Sequence, residues 1–230
     1  MTRTTVLVII GACLAAWAAV AYVAMPFWWK RYVNRHPALD GVASITQTAS
    51  GIPGDPVNVA LAGTEAQVRA AFAAAKWSPA DALSLESDVR IAADAVLERP
   101  YAGAPVSNLY LFGRKEDLAF EMAAGASPRE RHHVRFWRAP ADQTPGVALW
   151  VGSASFDRSV GLSHTTGQIT HHIAPDVDAE RDHVMKSLDS AGWLSEVTPV
   201  AGFHAVREGR NGGGDPWRTD GTLLLGVISN

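Results

Sequence analysis

The chain opens on a run that limits what it can become. Between Arg3 and Lys30 there is no charged residue, and Val6 to Met25 reads VLVIIGACLAAWAAVAYVAM. A helix needs about 20 apolar residues to cross the hydrocarbon core of a bilayer, and this stretch has that length. It ends in PFWWKRY, which sets Trp28, Trp29 and Tyr32 beside Lys30 and Arg31. Aromatic and basic side chains together suit the headgroup level. The expectation is one transmembrane helix within residues 1–33, a single-pass cell-membrane location, and the lipid bilayer as a partner through that helix. A cleaved signal peptide is the alternative, with Ala19-Val20-Ala21 as the cut site, although the run exceeds a usual signal core. Ile10-Gly11-Ala12-Cys13 resembles a lipoprotein box only faintly, because the apolar run before Cys13 is too short. Arg3 lies before the run, and Lys30, Arg31 and Arg35 lie after it, so charge does not fix which side the remainder faces.

About 200 residues follow, enough for one domain with its own core. The net charge of −3 leaves no basic footprint for nucleic acid. Cys13 is the one cysteine and lies inside the apolar run. The remainder therefore has no disulfide, no thiolate nucleophile and no thiolate metal site. Residues 34–56 carry Pro37, Pro53, Pro56, Gly41, Gly51 and Gly54 among small polar residues, and read as a linker and entry loop. The domain proper is then 57–230.

Periodicity gives its elements. Val57 to Leu61 is a short strand candidate. Thr64 with Gln67 three residues on forms a capping box, and Val68, Ala71, Phe72 and Ala75 follow at helical spacing. Leu85, Val89, Ala92 and Val96 mark a second helix near 85–97. The middle alternates as strands do, at 109–112, 118–122, 132–138 and 147–156, with another at 170–173. A third helix is expected near 178–191, with Asp178 as its cap, acidic residues in its first turns and Gly192 at its end. Thr222 to Ile228 closes the chain as a strand. Helices at both ends of a strand-rich middle predict an α+β fold: a mixed, largely antiparallel sheet with two or three packed helices, preceded by the transmembrane helix.

Two histidine pairs stand out. On a strand HHVRFW, His132 shares a face with Val134 and Phe136, and His133 with Arg135 and Trp137. In THHI, His171 alternates with Ile169 and Ile173, and His172 takes the other face. Imidazoles ligate metals and move protons near neutral pH. His133 and His172 are therefore the candidates for chemistry, and His132 and His171 for structure. Asp157, read as ending its strand, and Arg135 join His133 and His172 as candidate catalytic residues. Asp176, just after the second pair, joins them as a candidate metal ligand. The loop GRNGGGDP offers backbone amides that an anion could use, with Arg210, Asn211 and Gly213 as the candidate binding residues. It lacks the Lys-Ser/Thr of a phosphate loop, and no serine elbow of the hydrolase type is present. No cofactor is assigned.

The stretches IPGDPVNVALAG, RPYAGAPVSNLYLFGRKEDLAFE, SPRERHHVRFWRAP, WVGSASFDRSVGLSHTTGQITHHIAPDVDAERD and GRNGGGDP together resemble the LssY C-terminal domain family over roughly residues 52–228. That resemblance implies a domain of unestablished activity. In larger members of the family it is joined to membrane-embedded segments resembling phosphatidic-acid phosphatases, which this chain lacks, so no phosphatase activity or catalytic residue carries over. Two functions are expected to compete. One is a membrane-anchored accessory or ligand-binding domain of the bacterial envelope, meeting a protein partner or a small anionic ligand. The other is a His/Asp-supported, metal-dependent hydrolase of phosphoesters. Convergence of the His pairs, Asp157 and the glycine loop in one place favours a ligand or enzyme site; scatter favours a scaffold.

Overall fold

The computed structural model describes residues 42–48, 51–80, 108–124, 130–140, 147–164 and 169–229, with helical positions 5, 10–13, 15 and 16 near the N-terminus. Met1–Gly41 and Val42–Asn230 form two compact units. No helix among the described residues is long and apolar enough to cross a membrane. Most of the expected span, and all of the expected helix at 85–97, lies outside the described residues.

In chain order the strands are β1 (Ile45–Thr48), β2 (Pro53–Pro56), β3 (Val59–Gly63), β4 (Ser78–Pro79), β5 (Leu109–Leu111), β6 (Arg114–Lys115), β7 (Leu118–Ala123), β8 (Arg131–Arg138), β9 (Ala148–Leu162), β10 (Ile169–Ile173), β11 (Leu194–Val200), β12 (Glu208–Arg210), β13 (Pro216–Arg218) and β14 (Leu223–Ile228). Helix α1 (Glu65–Ala74) follows β3, and α2 (Val177–Ser190) follows β10. Eight strands make the main sheet, in the order β11-β14-β3-β9-β8-β7-β4 with β10 on the far half of β9. β14 and β3 run parallel, while the other pairs in this sheet are antiparallel. The described domain is thus the α+β arrangement with a mixed, largely antiparallel sheet.

One face of the sheet is apolar and lies under the helices. Alternation sends Val134 and Phe136 of β8, Trp150 and Ala154 of β9, Leu118 and Phe120 of β7, and Leu61 of β3 into one buried cluster with Val68 and Phe72 of α1 and Val184 and Leu188 of α2. The Phe72 ring stacks on Phe120 at 4.2 Å between centroids. Helix α1 starts where its sequence sets it: Gln67 N–H donates to Thr64 Oγ1 (3.2 Å), and Thr64 N–H donates to Gln67 Oε1 (2.8 Å). Helix α2 is capped by Asp176, whose carboxylate accepts from Ala179 N–H, and not by the expected Asp178. Asp178 instead holds Arg181 and Thr219. Asn58 ties the layers: its amide donates to the carbonyls of Ala154 and Val177 and accepts from Ala154 N–H.

The segment read as linker, 34–56, supplies two strands, β1 and β2. Their sequences, ITQT and PGDP, lack the alternation that marks a half-buried strand. β2 sits at the end of a four-stranded sheet, β2-β1-β5-β6, where the missing N–H of proline is tolerated. This small sheet brings Asp55 to 3.6 Å from Arg135, against the second face of the main sheet.

Candidate functional site

The second face is polar and buried. Alternation on β8 presents Arg131, His133, Arg135 and Trp137, and the register sets Arg131 opposite Asp157, His133 opposite Ser155 and Arg135 opposite Ser153 on β9. Glu121 of β7 pairs with His133 from the other side. Arg131, 6% exposed, uses all three guanidinium nitrogens. Nε donates to Asp157 Oδ2 (2.9 Å), Nη1 to Glu121 Oε2 (2.7 Å) and Nη2 to His171 Nε2 (3.0 Å). A guanidinium only donates, so His171 Nε2 is the acceptor and its ring proton sits on Nδ1, 3.6 Å from Asp157 Oδ2. Burial, opposed by Asp157 and reinforced by Arg131 and Arg135, pushes the His171 imidazole down to about 4.

His133 is fully buried, and neither ring nitrogen has a hydrogen-bond partner among the described residues. Burial first, and then the charges of Arg135 and Arg131, hold it well below the usual histidine range, so it is neutral. The hydroxyls of Ser153 and Ser155, also buried, have no partner among the described residues either. Beside them Asp55 is pushed up by burial, against the pull of Arg135 and of a hydrogen bond from Asn211.

Asn211 connects this face to the glycine loop. Its Nδ2 donates to Asp55 Oδ1 (2.9 Å), and its Oδ1 accepts from Gly213 N–H (3.0 Å) and Asp215 N–H (2.9 Å). Gly214 N–H donates to Asn211 O, and Arg210 Nη1 to Gly214 O. The N–H groups of Gly213, Gly214 and Asp215 and Nη1 of Arg210 thus donate to oxygens of the loop itself. What the loop positions is Asp215. Its Oδ1 hydrogen-bonds with His172 Nδ1 (2.8 Å), and its Oδ2 accepts from Ile173 N–H (3.2 Å).

His172 thus joins Asp215 and the exposed His164, whose ring centroid is 5.1 Å away, and one ligand atom from each of the three lies within 4.8 Å of the others. These are the residue types of a two-histidine, one-carboxylate metal centre. The set named from sequence, His133, His172 and Asp176, is not brought together: Asp176 caps α2 and binds Arg218.

His133 lies on the expected polar face, and His132 on the apolar one. There His132 Nδ1 meets Glu180 Oε2 (2.8 Å), and its ring stacks on His183 at 3.8 Å. His171, expected to be structural and apolar-facing, instead joins the Arg131 network. His171 still shares a face with Ile173, but that face is the one carrying Asp157, because the register shift leaves an extra residue, Arg158, in β9 and sets Ile173 opposite Asp157. Asp157 is not a strand end but an interior residue of β9, opposite Arg131. Sequence reasoning missed Ser153, Ser155, His164, Asp215 and Asp55. The same period-two argument applied to GSASFD would have set Ser153, Ser155 and Asp157 on one face. His164 and Asp55 gave no such signal.

No curated protein and no solved structure matches the chain. The segments that build the polar face and the glycine loop fall within residues 36–223, which match the LssY C-terminus family, and the chain belongs to that family.

Proposed function

We propose that the chain is a membrane-anchored ligand-binding domain of the cell envelope, with its ligand site on the polar face at His133, Ser153, Ser155 and Arg135. One observation carries the reading: His133, Ser153 and Ser155 are buried side by side, and among the described residues their side chains have no hydrogen-bond partner. Leaving a buried polar group unpaired costs about 1–3 kcal/mol. Beside them Arg131, Asp157 and Glu121 are fully engaged with one another. A ligand that supplies the lacking partners accounts for keeping such atoms together.

The neighbours limit its chemistry. Each serine hydroxyl both donates and accepts, a neutral imidazole offers one of each, and Arg135 favours a negative group. A small molecule bearing a carboxylate or phosphoryl group and a hydroxyl fits these demands. The anchor in this proposal is the apolar run Val6 to Met25. The hydrolase reading has less support, because Asp157 is engaged by Arg131 and Asp176 by a helix end.

A thermal-shift screen of the detergent-solubilised full chain against small carboxylates and phosphate esters tests it. At least one class is expected to raise Tm, and the shift should vanish in the Ser153→Ala/Ser155→Ala double variant. If no compound shifts the parent, or the double variant responds equally, the site reading is wrong.

A further inference from the structure

We infer that His164, His172 and Asp215 form a binding site for a divalent first-row transition metal, at the junction of β9, β10 and the glycine loop. The inference goes beyond the ligand site on the polar face and stands on different residues. Ligands of one such ion lie at about 2 Å from it, so any two are at most about 4 Å apart. The three candidate ligand atoms lie within 4.8 Å of one another. Small side-chain rotations close the remaining gap.

The surroundings are built to hold these groups. Asp215, 1% exposed, is fixed at both oxygens, by His172 and by Ile173 N–H, and its own N–H is held by Asn211. His164 is fixed through its backbone, with N–H donating to Gly213 O (2.8 Å). The His172 imidazole and the Cβ of His164 each lie against a glycine. A Cβ at Gly161 would stand 2.7 Å from His172 Nε2. One at Gly214, which also has φ +86°, would stand 2.8 Å from His164 Cβ. Within GRNGGGDP it is Gly214 that makes room for His164.

Donor type selects the ion. Two imidazoles and a carboxylate, with no thiolate, suit Zn²⁺, Co²⁺, Fe²⁺ or Mn²⁺ over Cu⁺, Ca²⁺ or Mg²⁺. Three protein ligands with an exposed His164 leave coordination positions open to solvent, the pattern of a reactive site and not of a closed structural one. Asn211 orients Asp215 without touching the ion, and is a positioning residue.

The test uses tag-free full chain in detergent, stripped with chelator and titrated with Co²⁺, followed by its visible absorption bands, and with Zn²⁺ by calorimetry. One equivalent is expected to bind. His164→Ala, which keeps the Cβ packed on Gly214 and alters an exposed residue, should abolish the bands with an unchanged circular dichroism spectrum. His172→Ala should do the same, and Asn211→Ala should weaken binding about 10–100-fold. The Ser153→Ala/Ser155→Ala variant should bind Co²⁺ as the parent does, which separates this site from the ligand site. Absence of binding by the parent at millimolar metal, or binding that survives in a folded His164→Ala variant, overturns the inference.

Discussion

Burying a guanidinium at position 131 is tolerated because each of its nitrogens meets an acceptor, from Glu121, Asp157 and His171. Removing one partner of a buried ion pair leaves the other charge without compensation, at a cost of about 3–5 kcal/mol. Arg131→Met is therefore expected to lower the unfolding free energy by about that much, measured in urea. A loss below about 1 kcal/mol would mean that the carboxylates reach water, contrary to their burial. His133 makes a different prediction. In the fold its imidazole is held neutral, well below its ordinary 6.5, while the unfolded chain takes up the proton near 6.5. Below 6.5 the unfolded state binds more protons, so the stability contributed by neutral His133 is present above that pH and is lost as pH falls. His183 and His204 are lowered too and act in the same direction. Between about pH 7.5 and about pH 5.5 the parent should lose stability, and His133→Asn should lose less. Equal slopes in the two proteins would show that His133 exchanges its proton freely in the fold.

The elements whose periods are undisturbed were legible in the sequence. The capping box at Thr64 and the stripe Val68, Ala71 and Phe72 put α1 in place, because local hydrogen bonds and one buried face both favour the helix there. Thr64→Ala should cost about 1 kcal/mol, read from urea unfolding, and a neutral result would mean that packing alone sets the start of the helix. β8 and the first half of β9 were legible for the same reason: their residues alternate between the helix-covered face and the polar face. Three kinds of element were not. β2 and β11 hold prolines and sit at sheet edges, where alternation weakens because one side has no neighbouring strand. The extra residue in β9, Arg158, turns the face shared by His171 and Ile173 toward Asp157 and away from the apolar core. The Asn211 turn could not be foreseen, because its purpose is set by Asp55, 156 residues away in sequence. The candidate site was legible on β8 and at His172. It was hidden wherever it depended on distant loops, as at His164, Asp55 and Asp215.

At the scale of the molecule, one sheet separates two kinds of interior. The helix side is apolar and supplies the core; the other side buries arginines, histidines, serines and carboxylates beneath the small sheet. Val42–Asn230 is compact by itself. It is expected to unfold cooperatively in urea without residues 1–41, with coincident fluorescence and circular dichroism transitions. The intact chain, if the apolar run is its anchor, should stay with membranes through carbonate extraction. Release into the carbonate supernatant would remove the anchor from the proposal and leave the domain reading in place. The central claim is that the polar face is kept for a ligand and not for stability. An unpartnered buried hydroxyl contributes nothing that alanine lacks, whereas a structural one costs about 1–3 kcal/mol when removed. The direct measurement is the urea unfolding free energy of Ser153→Ala/Ser155→Ala against the parent. The account predicts a double variant as stable as the parent or more so; a loss above about 2 kcal/mol would show these hydroxyls holding the fold together and contradict it.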